Sequence, residues 1–183
     1  MRKIAISAGH TNQPGMDQGC DNGHDFEGQY AVELRDLVKK YLEANGVKVS
    51  VDPNNSPTGS TVKLFRQYFF GSDICVDIHF NSNPKKSASG SETVIPALYS
   101  QFEHDLATEL TAAVSSTLGI RNRGVITELQ TFRKKLLWMT LKCETVLLEV
   151  CFLSNDSDMM SYKQRRNEVA KAIATILFKY RSL

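Results

Sequence analysis

The length, composition and charge of the chain exclude several classes of protein. Its 183 residues are 42% hydrophobic and 23% charged, which suffices for one substantial core without disulfide staples. The formal net charge of +2 is too small for a nucleic-acid binder, and no dense stripe of basic and aromatic residues occurs. We therefore expect one domain over residues 1–183 and no nucleic-acid partner.

The cysteines and the start of the chain indicate a reducing compartment. The four cysteines are Cys20, Cys75, Cys143 and Cys151. They form no CxxC pair, and we interpret all four as reduced thiols, which favours synthesis in a cytoplasm. The apolar run over residues 4–6 is too short for a signal peptide. No stretch approaches the roughly 18 apolar residues of a membrane span, so we expect no membrane insertion.

The first predicted elements are a strand, a polar loop and a helix. The strand covers residues 3–8 and gives way to a loop over 9–25 that is rich in Gly, Asn and Asp. A helix is predicted over 26–45, because its apolar residues share one helical face. Asp25 is its predicted N-cap, and Gly46 is its predicted stop.

The rest of the chain continues this alternation of strands and helices. Strands are predicted over 47–51, 74–80, 92–95 and 145–151, and helices over 61–70, 101–118 and 165–180. A polar loop over 52–59 precedes the first of these helices. Such alternation is typical of an α/β domain with a largely parallel sheet.

Three polar side chains occur where apolar burial does not explain them. His10 follows the first strand, at the edge where parallel sheets form their binding crevice. His79 ends a buried strand and shares one face of it with Asp77 and Asn81. A solvated loop histidine at position 10 and a hydrogen-bonded core histidine at position 79 are equally good interpretations at this point. Glu149 lies within an apolar strand, where an unpaired carboxylate costs several kcal/mol, so we favour a functional carboxylate over a structural salt bridge.

These residue types suit metal-dependent hydrolysis. Two histidines and a carboxylate can hold a catalytic zinc ion and leave a fourth position for water. A second carboxylate that does not bind the metal serves as general base and then as proton donor to the leaving amine. Spacing alone does not identify every member of such a site.

Four segments resemble the zinc-dependent N-acetylmuramoyl-L-alanine amidases of the amidase-3 family. They are Ile6-Ser7-Ala8-Gly9-His10, Glu27 at the start of the first long helix, Asp77-Ile78-His79-Phe80-Asn81, and Leu148-Glu149-Val150-Cys151-Phe152-Leu153-Ser154-Asn155. The resemblance implies that His10, Glu27 and His79 bind Zn²⁺ and that Glu149 is the general acid and base. Without it, Glu27 would be interpreted as a surface glutamate. The resemblance also implies a three-layer α/β/α domain with a mixed, mostly parallel sheet of about six strands.

The implied reaction is cleavage of the amide bond between N-acetylmuramic acid and the L-alanine of the stem peptide, with peptidoglycan as the partner. The alternatives are a zinc peptidase that cuts within the stem peptide and a non-catalytic wall-binding protein on the same fold. We expect a monomer. A catalytic domain without a leader or wall-binding repeats is typical of a phage or prophage endolysin, which accumulates in the cytoplasm and causes lysis once the membrane is opened. A bacterial enzyme is the alternative origin.

The chain departs from the family pattern at three places. Thr11-Asn12-Gln13 follow the first histidine, where the family often has small glycines. Asp52-Pro53-Asn54 stand where it often has an arginine. Both changes affect the shape of the substrate groove. Asp77 replaces a common serine; it could orient a zinc-bound histidine, although side chains two apart on a strand do not easily hydrogen-bond each other.

Other polar residues compete for a place in the site. We interpret four of them as lying outside it: His24, His104, Cys20 and Glu144. The segment Arg121-Asn122-Arg123-Gly124-Val125 resembles a stretch of the family and could position the glycan or the peptide. The loop over 81–91, with Lys85, Lys86, Ser89 and Gly90, is a similar candidate. Solvated side chains are the ordinary alternative for both segments.

Overall fold

Six strands among the described residues pair into one mixed sheet. This computed structural model describes residues 1–54 and 58–183. The strands are β1 (Ile4–Ala8), β2 (Val49–Val51), β3 (Gly71–Asn81), β4 (Ser91–Ile95), β5 (Asn122–Thr127) and β6 (Cys143–Phe152). Their order across the sheet is β2-β1-β3-β6-β4-β5. β4 runs antiparallel to β6, and the other neighbouring pairs are parallel.

Helices cover both faces of this sheet. They are α1 (Glu27–Ala44), α2 (Thr58–Tyr68), α3 (Gln101–Leu118) and α4 (Asp156–Tyr180), with 3-10 segments at Glu128–Gln130 and Trp138–Thr140. α1, α3 and α4 share one buried cluster with Ile6 and Ile78 of the sheet. α2 and the second 3-10 segment share another with Ala5 and Cys75. Because successive side chains of a strand point to opposite faces, two cores form, and the predicted three-layer α/β/α fold is confirmed.

The ends of the first two helices differ in part from the prediction. The N-cap of α1 is Phe26, without a side-chain cap, so the prediction of Asp25 was wrong. The Asp25 carboxylate accepts a hydrogen bond from Lys163 Nζ at 2.8 Å instead. Gly46 follows the helix with φ +74°, as expected of a stop. α2 begins at Thr58 and so takes up the end of the loop predicted over 52–59, of which residues 55–57 lie outside the described residues.

Two elements towards the C-terminus also differ from the prediction. α4 begins nine residues earlier than predicted, because Asn155 caps it by accepting hydrogen bonds from the backbone N–H groups of Ser157 and Asp158, each at 3.0 Å. Arg165 has non-helical backbone angles, so the predicted helix over 165–180 is the part after this kink. β5 was not predicted, because its first three residues, 122–124, lack apolar alternation.

The direction of the strands decides which residues meet. β1, β3 and β6 are parallel, so their carboxyl ends share one edge of the sheet. β4 runs the other way, and its first residues therefore reach the same edge. All four cysteines lie among the described residues as free thiols, and Cys143 Sγ is 3.0 Å from Cys75 Sγ. Among the described helices, none has the length and apolar character needed to cross a membrane.

Candidate metal centre and active site

Three separate elements bring His10, Glu27 and His79 together at this edge. His10 follows β1, Glu27 is the first residue of α1, and His79 lies near the end of β3. Each residue offers one ligand atom, and these three atoms lie within 4.8 Å of one another. The structure thus gathers the three side chains that were predicted to bind a metal ion.

The carboxylate of Glu27 lies between the two imidazole rings. Its Oε1 is 2.9 Å from His79 Nδ1, and its Oε2 is 3.6 Å from His10 Nε2. The ring centroids are 5.1 Å apart, and the rings are nearly perpendicular. With zinc–nitrogen and zinc–oxygen bonds of about 2.0–2.1 Å, two ligand atoms of a tetrahedral site lie about 3.3 Å apart. The two measured distances lie on either side of this value, and all three ligand atoms lie within 4.8 Å of one another, so the carboxylate is spaced to share a zinc ion with each ring.

Glu27 is anchored as a buried anion. Its residue is 5% exposed, and its carboxylate accepts hydrogen bonds from Phe80 N at 3.0 Å and Cys20 N at 3.1 Å. Burial raises the pKa of Glu27, but the hydrogen bond and charge of His79, together with the charge of His10, outweigh it and bring the pKa to about 2. The carboxylate is therefore ionised and positioned for a cation.

Two glycines provide the space for this cluster. A Cβ atom at Gly9 would lie 1.9 Å from His79 Nε2. At Gly19, where φ is +76°, a Cβ atom would lie 2.5 Å from Glu27 Oε2 and 2.7 Å from His10 Cδ2. These distances are far inside van der Waals contact, so the close approach of the three side chains depends on residues without a Cβ.

A further carboxylate lies behind each histidine. Asp77 Oδ2 is 3.1 Å from His79 Nε2, and Asp17 Oδ1 is 3.1 Å from His10 Nδ1. The expectation that Asp77 does not easily bond to His79 was therefore wrong. Burial lowers the pKa of His79, but the charges and hydrogen bonds of Asp77 and Glu27 raise it well above its usual range. The hydrogen bond to Asp77 can fix the tautomer and orientation of the His79 ring, whereas Asp17 is a mostly exposed charge that does not hydrogen-bond His10.

Glu149 lies next to the cluster in the sheet. It is paired in register with His79 of β3 on one side and with Glu92 of β4 on the other. Its Oε2 atom is buried, with no hydrogen-bond partner among the described residues. Burial raises the pKa of Glu149 to about 8; the charges of Glu27, Glu92 and Asp77 act in the same direction, and only His79 among the main contributors opposes them. Such a carboxyl group can both accept and donate a proton near neutral pH.

The competing histidines and Cys20 remain outside the three ligand positions. His24 is exposed, and His104 lies on α3 beside Tyr99, with ring centroids 5.8 Å apart. Cys20 lies beside the cluster, and its Sγ is 3.5 Å from Phe80 O. Burial raises the pKa of the Cys20 thiol, which disfavours the thiolate that a metal requires.

Glu144 and the loop over 81–91 have structural partners. Glu144 is the second residue of β6. It is partly buried and accepts a hydrogen bond from Ser100 Oγ at 2.6 Å, so it is less solvent-facing than expected. In the loop, Ser89 Oγ and Gly90 N donate to the Asp158 carboxylate at 2.6 and 3.0 Å. These contacts fix the loop at the edge of the site.

Thr11 and Asp52, which depart from the family pattern, form hydrogen bonds with neighbouring segments. Thr11 Oγ1 donates to the carbonyl of Asn54. Asp52 accepts hydrogen bonds from Ala8 N and from the guanidinium of Arg35, both at 2.9 Å. An arginine from α1 thus reaches the region after β2 where the family often has its own arginine.

Sequence reasoning did not identify Glu92 as a neighbour of Glu149. Its carboxylate accepts hydrogen bonds from Asn81 Nδ2 and Arg123 Nε, both at 2.9 Å. An acidic residue in the strand predicted over 92–95, on the same face as the apolar Val94, was the available signal.

The fold and this cluster define an α/β protein with a candidate metal centre at the carboxyl ends of its central strands. The family described as N-acetylmuramoyl-L-alanine amidase (Amidase_3) matches residues 4–179, and the chain belongs to that family.

Individual relatives agree with this assignment. The chain is 28% identical over 174 residues to the N-acetylmuramoyl-L-alanine amidase LytC of Bacillus subtilis (strain 168), a match that covers 93% of this chain and 34% of LytC. The chain thus spans about a third of the length of that curated relative. A Neisseria meningitidis protein whose structure carries the name of the same amidases has a TM-score of 0.80 at 26% identity, covering 97% of this chain and 94% of that one. The catalytic domain of CwlV from Bacillus (Paenibacillus) polymyxa var. colistinus has a TM-score of 0.79 at 21% identity, covers 98% of both chains and shows the same fold.

Proposed function

We propose that the chain is a zinc-dependent peptidoglycan hydrolase that cleaves the amide bond between N-acetylmuramic acid and the L-alanine of the stem peptide. The observation that carries the proposal is the pairing of Glu149 with His79 in the sheet, beside the His10–Glu27–His79 cluster. This arrangement occurs in a chain of the N-acetylmuramoyl-L-alanine amidase family. Membership of the family supports the choice of the scissile bond.

His10, Glu27 and His79 are the residues that would hold the zinc ion. A bound zinc ion supplies Lewis acidity, which polarises the attacked carbonyl group and makes water a stronger acid. The buried, ionised Glu27 and the two imidazole rings give the mixed nitrogen and oxygen donor set that zinc accepts. Asp77 holds the His79 ring from behind at 3.1 Å, so that Nδ1 faces the cluster.

Glu149 moves the proton in the proposed reaction. As a carboxylate it removes a proton from the attacking water, and as a carboxylic acid it returns that proton to the departing amine of L-alanine. Because burial raises the pKa of Glu149 to about 8, both forms are accessible near neutral pH. The Glu149 side chain is partly exposed, and its Oε2 is not engaged by a hydrogen bond from the described residues.

The test is digestion of purified peptidoglycan by the wild type, Glu149→Ala and the matched control Glu144→Ala on the same strand. Each is assayed alone, with a chelator, and with zinc restored. We expect new L-alanine amino termini and intact glycan strands from the wild type and the control, and loss of product in Glu149→Ala and in the chelated samples. New amino termini at another stem residue would instead identify a peptidase. Folded, zinc-loaded wild type that releases nothing from several wall types would contradict hydrolysis and favour a wall-binding protein.

We further propose that residues 1–183 act as one catalytic domain that accumulates in a reducing cytoplasm before it reaches the wall. One continuous sheet with a core on each face supports the single domain, and four free thiols support the compartment. Fractionation of producing cells is the test. Activity confined to the soluble cytoplasmic fraction before lysis supports the proposal, and activity outside intact cells contradicts it.

A further inference from the structure

A row of ionisable side chains crosses the sheet from His79, a member of the His10–Glu27–His79 cluster, towards β5. His79 of β3 pairs in register with Glu149 of β6, and Glu149 pairs with Glu92 of β4. Residues paired in register point to the same face, so these three side chains form one row. Arg123 of β5 extends it, because its Nε donates to Glu92 Oε2 at 2.9 Å. With about 4.8 Å between neighbouring strands, β4 lies about 5 Å from Glu149 and β5 about 10 Å.

The Arg123 side chain is fixed at the end of this row. Besides its bond to Glu92, its Nη1 is 3.5 Å from the carbonyl of Ser89, and its Cζ lies 5.1 Å from the centroid of the Phe152 ring. Its aliphatic part lies against Gly90, where a Cβ would be 2.9 Å from Arg123 Cγ. The guanidinium is therefore positioned before any ligand binds.

The guanidinium keeps hydrogen-bonding capacity for a ligand. It has five N–H donors, and its contacts with Glu92 and Ser89 engage Nε and Nη1. The side chain is 32% exposed, so the remaining N–H groups can meet solvent. The end formed by Nη1 and Nη2 matches the two oxygens of a carboxylate.

The permanent positive charge of Arg123 favours an anionic ligand at the β5 end of the row. Glu27, Asp77 and Glu92 are the carboxylates around Glu149 and His79. An anionic group beyond Glu92 meets the permanent positive charge of Arg123. This arrangement selects a substrate whose negative group lies some distance from the scissile amide.

We propose that Arg123 binds the free carboxylate of the second stem-peptide residue and so determines substrate specificity; the inference rests on the hydrolase function proposed above. In common stem peptides L-alanine is followed by a glutamate joined through its side-chain carboxyl, so that its α-carboxylate is free. This carboxylate lies about two residues of extended chain, roughly 7 Å, from the scissile amide. That reach falls between the positions of β4 and β5 relative to Glu149.

The experiment compares two soluble muropeptides that differ only in whether this α-carboxylate is free or amidated. Values of kcat/KM are measured for zinc-loaded wild type, Arg123→Gln, Arg123→Lys and the exposed control Arg121→Gln. We expect the wild type and Arg121→Gln to prefer the free carboxylate about tenfold, as for a charge-assisted hydrogen-bonded pair. Arg123→Gln should bring the ratio of the two substrates close to one. Arg123→Lys keeps the positive charge but loses the paired N–H donors of the guanidinium, so it should give an intermediate ratio.

The ratio of kcat/KM for the free and amidated substrates distinguishes substrate binding by Arg123 from a purely structural role of this residue. Equal cleavage of both substrates by the wild type, retention of the wild-type ratio by Arg123→Gln, or an equal loss on both substrates would each overturn the assignment of Arg123. If Arg123→Gln does not fold, as judged by its melting temperature, the wild-type and Arg123→Lys ratios decide. Wild type that cleaves neither muropeptide contradicts the hydrolase function itself, which is a distinguishable result.

Discussion

The Glu149 carboxyl group carries a conflict between stability and chemistry. Its Oε2 is buried without a hydrogen-bond partner among the described residues, and burial raises its pKa from 4.5 to about 8. The folded state therefore favours the protonated form. The stability that this proton contributes is complete below pH 4.5 and is lost as the pH rises towards 8. The raised pKa that suits the role proposed for Glu149 therefore comes at the expense of stability near pH 8.

Glu149→Gln should stabilise the metal-free protein at pH 8. The neutral amide removes the buried negative charge, and we expect a gain on the order of 2–4 kcal/mol at pH 8 that shrinks towards pH 5. Urea unfolding with a chelator present, at both pH values, measures it. Glu144→Gln, on the same strand, should show no such pH-dependent gain. A Glu149→Gln protein less stable than wild type at pH 8 would contradict the raised pKa.

Asp77 acts on the cluster through His79. It is 1% exposed, and its Oδ2 is 3.1 Å from His79 Nε2, so Asp77→Asn keeps the shape and removes the negative charge. We expect zinc affinity to fall about 10- to 100-fold, measured by competition with a chromophoric chelator. Asp105→Asn, which changes an exposed carboxylate beside His104, is the control. Unchanged zinc affinity in Asp77→Asn would show that Asp77 does not orient His79 for metal binding.

The sequence could identify the separate members of the site, but not all their contacts. His10, His79 and Glu149 stood out because a polar residue at a strand end or inside an apolar strand needs a reason. The bond between Asp77 and His79 could not be predicted, because it depends on side-chain torsions that a two-residue spacing does not determine. Glu92 was missed for another reason. Its contact with Glu149 depends on the antiparallel pairing of β4 with β6, which chain order does not reveal.

At the scale of elements, the loop between β1 and α1 positions two of the cluster's side chains. It carries His10 at its start and ends at Glu27, and Gly28 N donates to Gln18 O at 2.9 Å across it. Glycines with positive φ recur in this loop. Gly23 has open space around its Cβ position, whereas Gly19 lies against Glu27 and His10. The two glycines therefore share a backbone requirement and differ in their distance from the cluster.

Gly19→Ala should impair the cluster more than Gly23→Ala does. Both changes place alanine at positive φ and should cost about 1 kcal/mol of stability. Only at Gly19 would the new Cβ lie 2.5 Å from Glu27 Oε2, so only this variant should lose zinc affinity, by at least tenfold. Calorimetric titration with zinc and urea unfolding measure the two effects separately. Equal zinc affinity in both variants would show that the loop adjusts without moving Glu27.

Helices with clear local ends were predicted best. α3 matches its prediction over 101–118, because Ser100 and Glu103 form a capping box at its start and Gly119 lies in the left-handed region at its end. α4 was predicted in part, since the kink at Arg165 interrupts the apolar periodicity. Because Asn155 also caps α4, the kink at Arg165 rather than the cap limited how much of α4 could be predicted.

At the scale of the whole molecule, the sheet was predicted better at its centre than at its edge. β3 and β6 have long apolar runs, and residues 74–78 and 145–148 within them are buried. β5 lies at an edge, and its exposed first half is polar. Edge strands bury less surface and carry a weaker apolar pattern. The strand that brings Arg123 to the site was therefore the one that sequence patterns could not reveal.

Zinc binding should be coupled to the stability of the whole fold. The three candidate ligands come from the end of β1, the start of α1 and β3, so the folded chain gathers them and the unfolded chain does not. Free zinc at about 100 times its Kd should stabilise the protein by about 2.7 kcal/mol. Scanning calorimetry should show Tm rising with zinc and falling with a chelator. His10→Ala should lose this shift, whereas His24→Ala, an exposed histidine of the same loop, should keep it. Equal shifts in both variants would exclude His10 as a ligand, and loss in both would add His24 to the metal site.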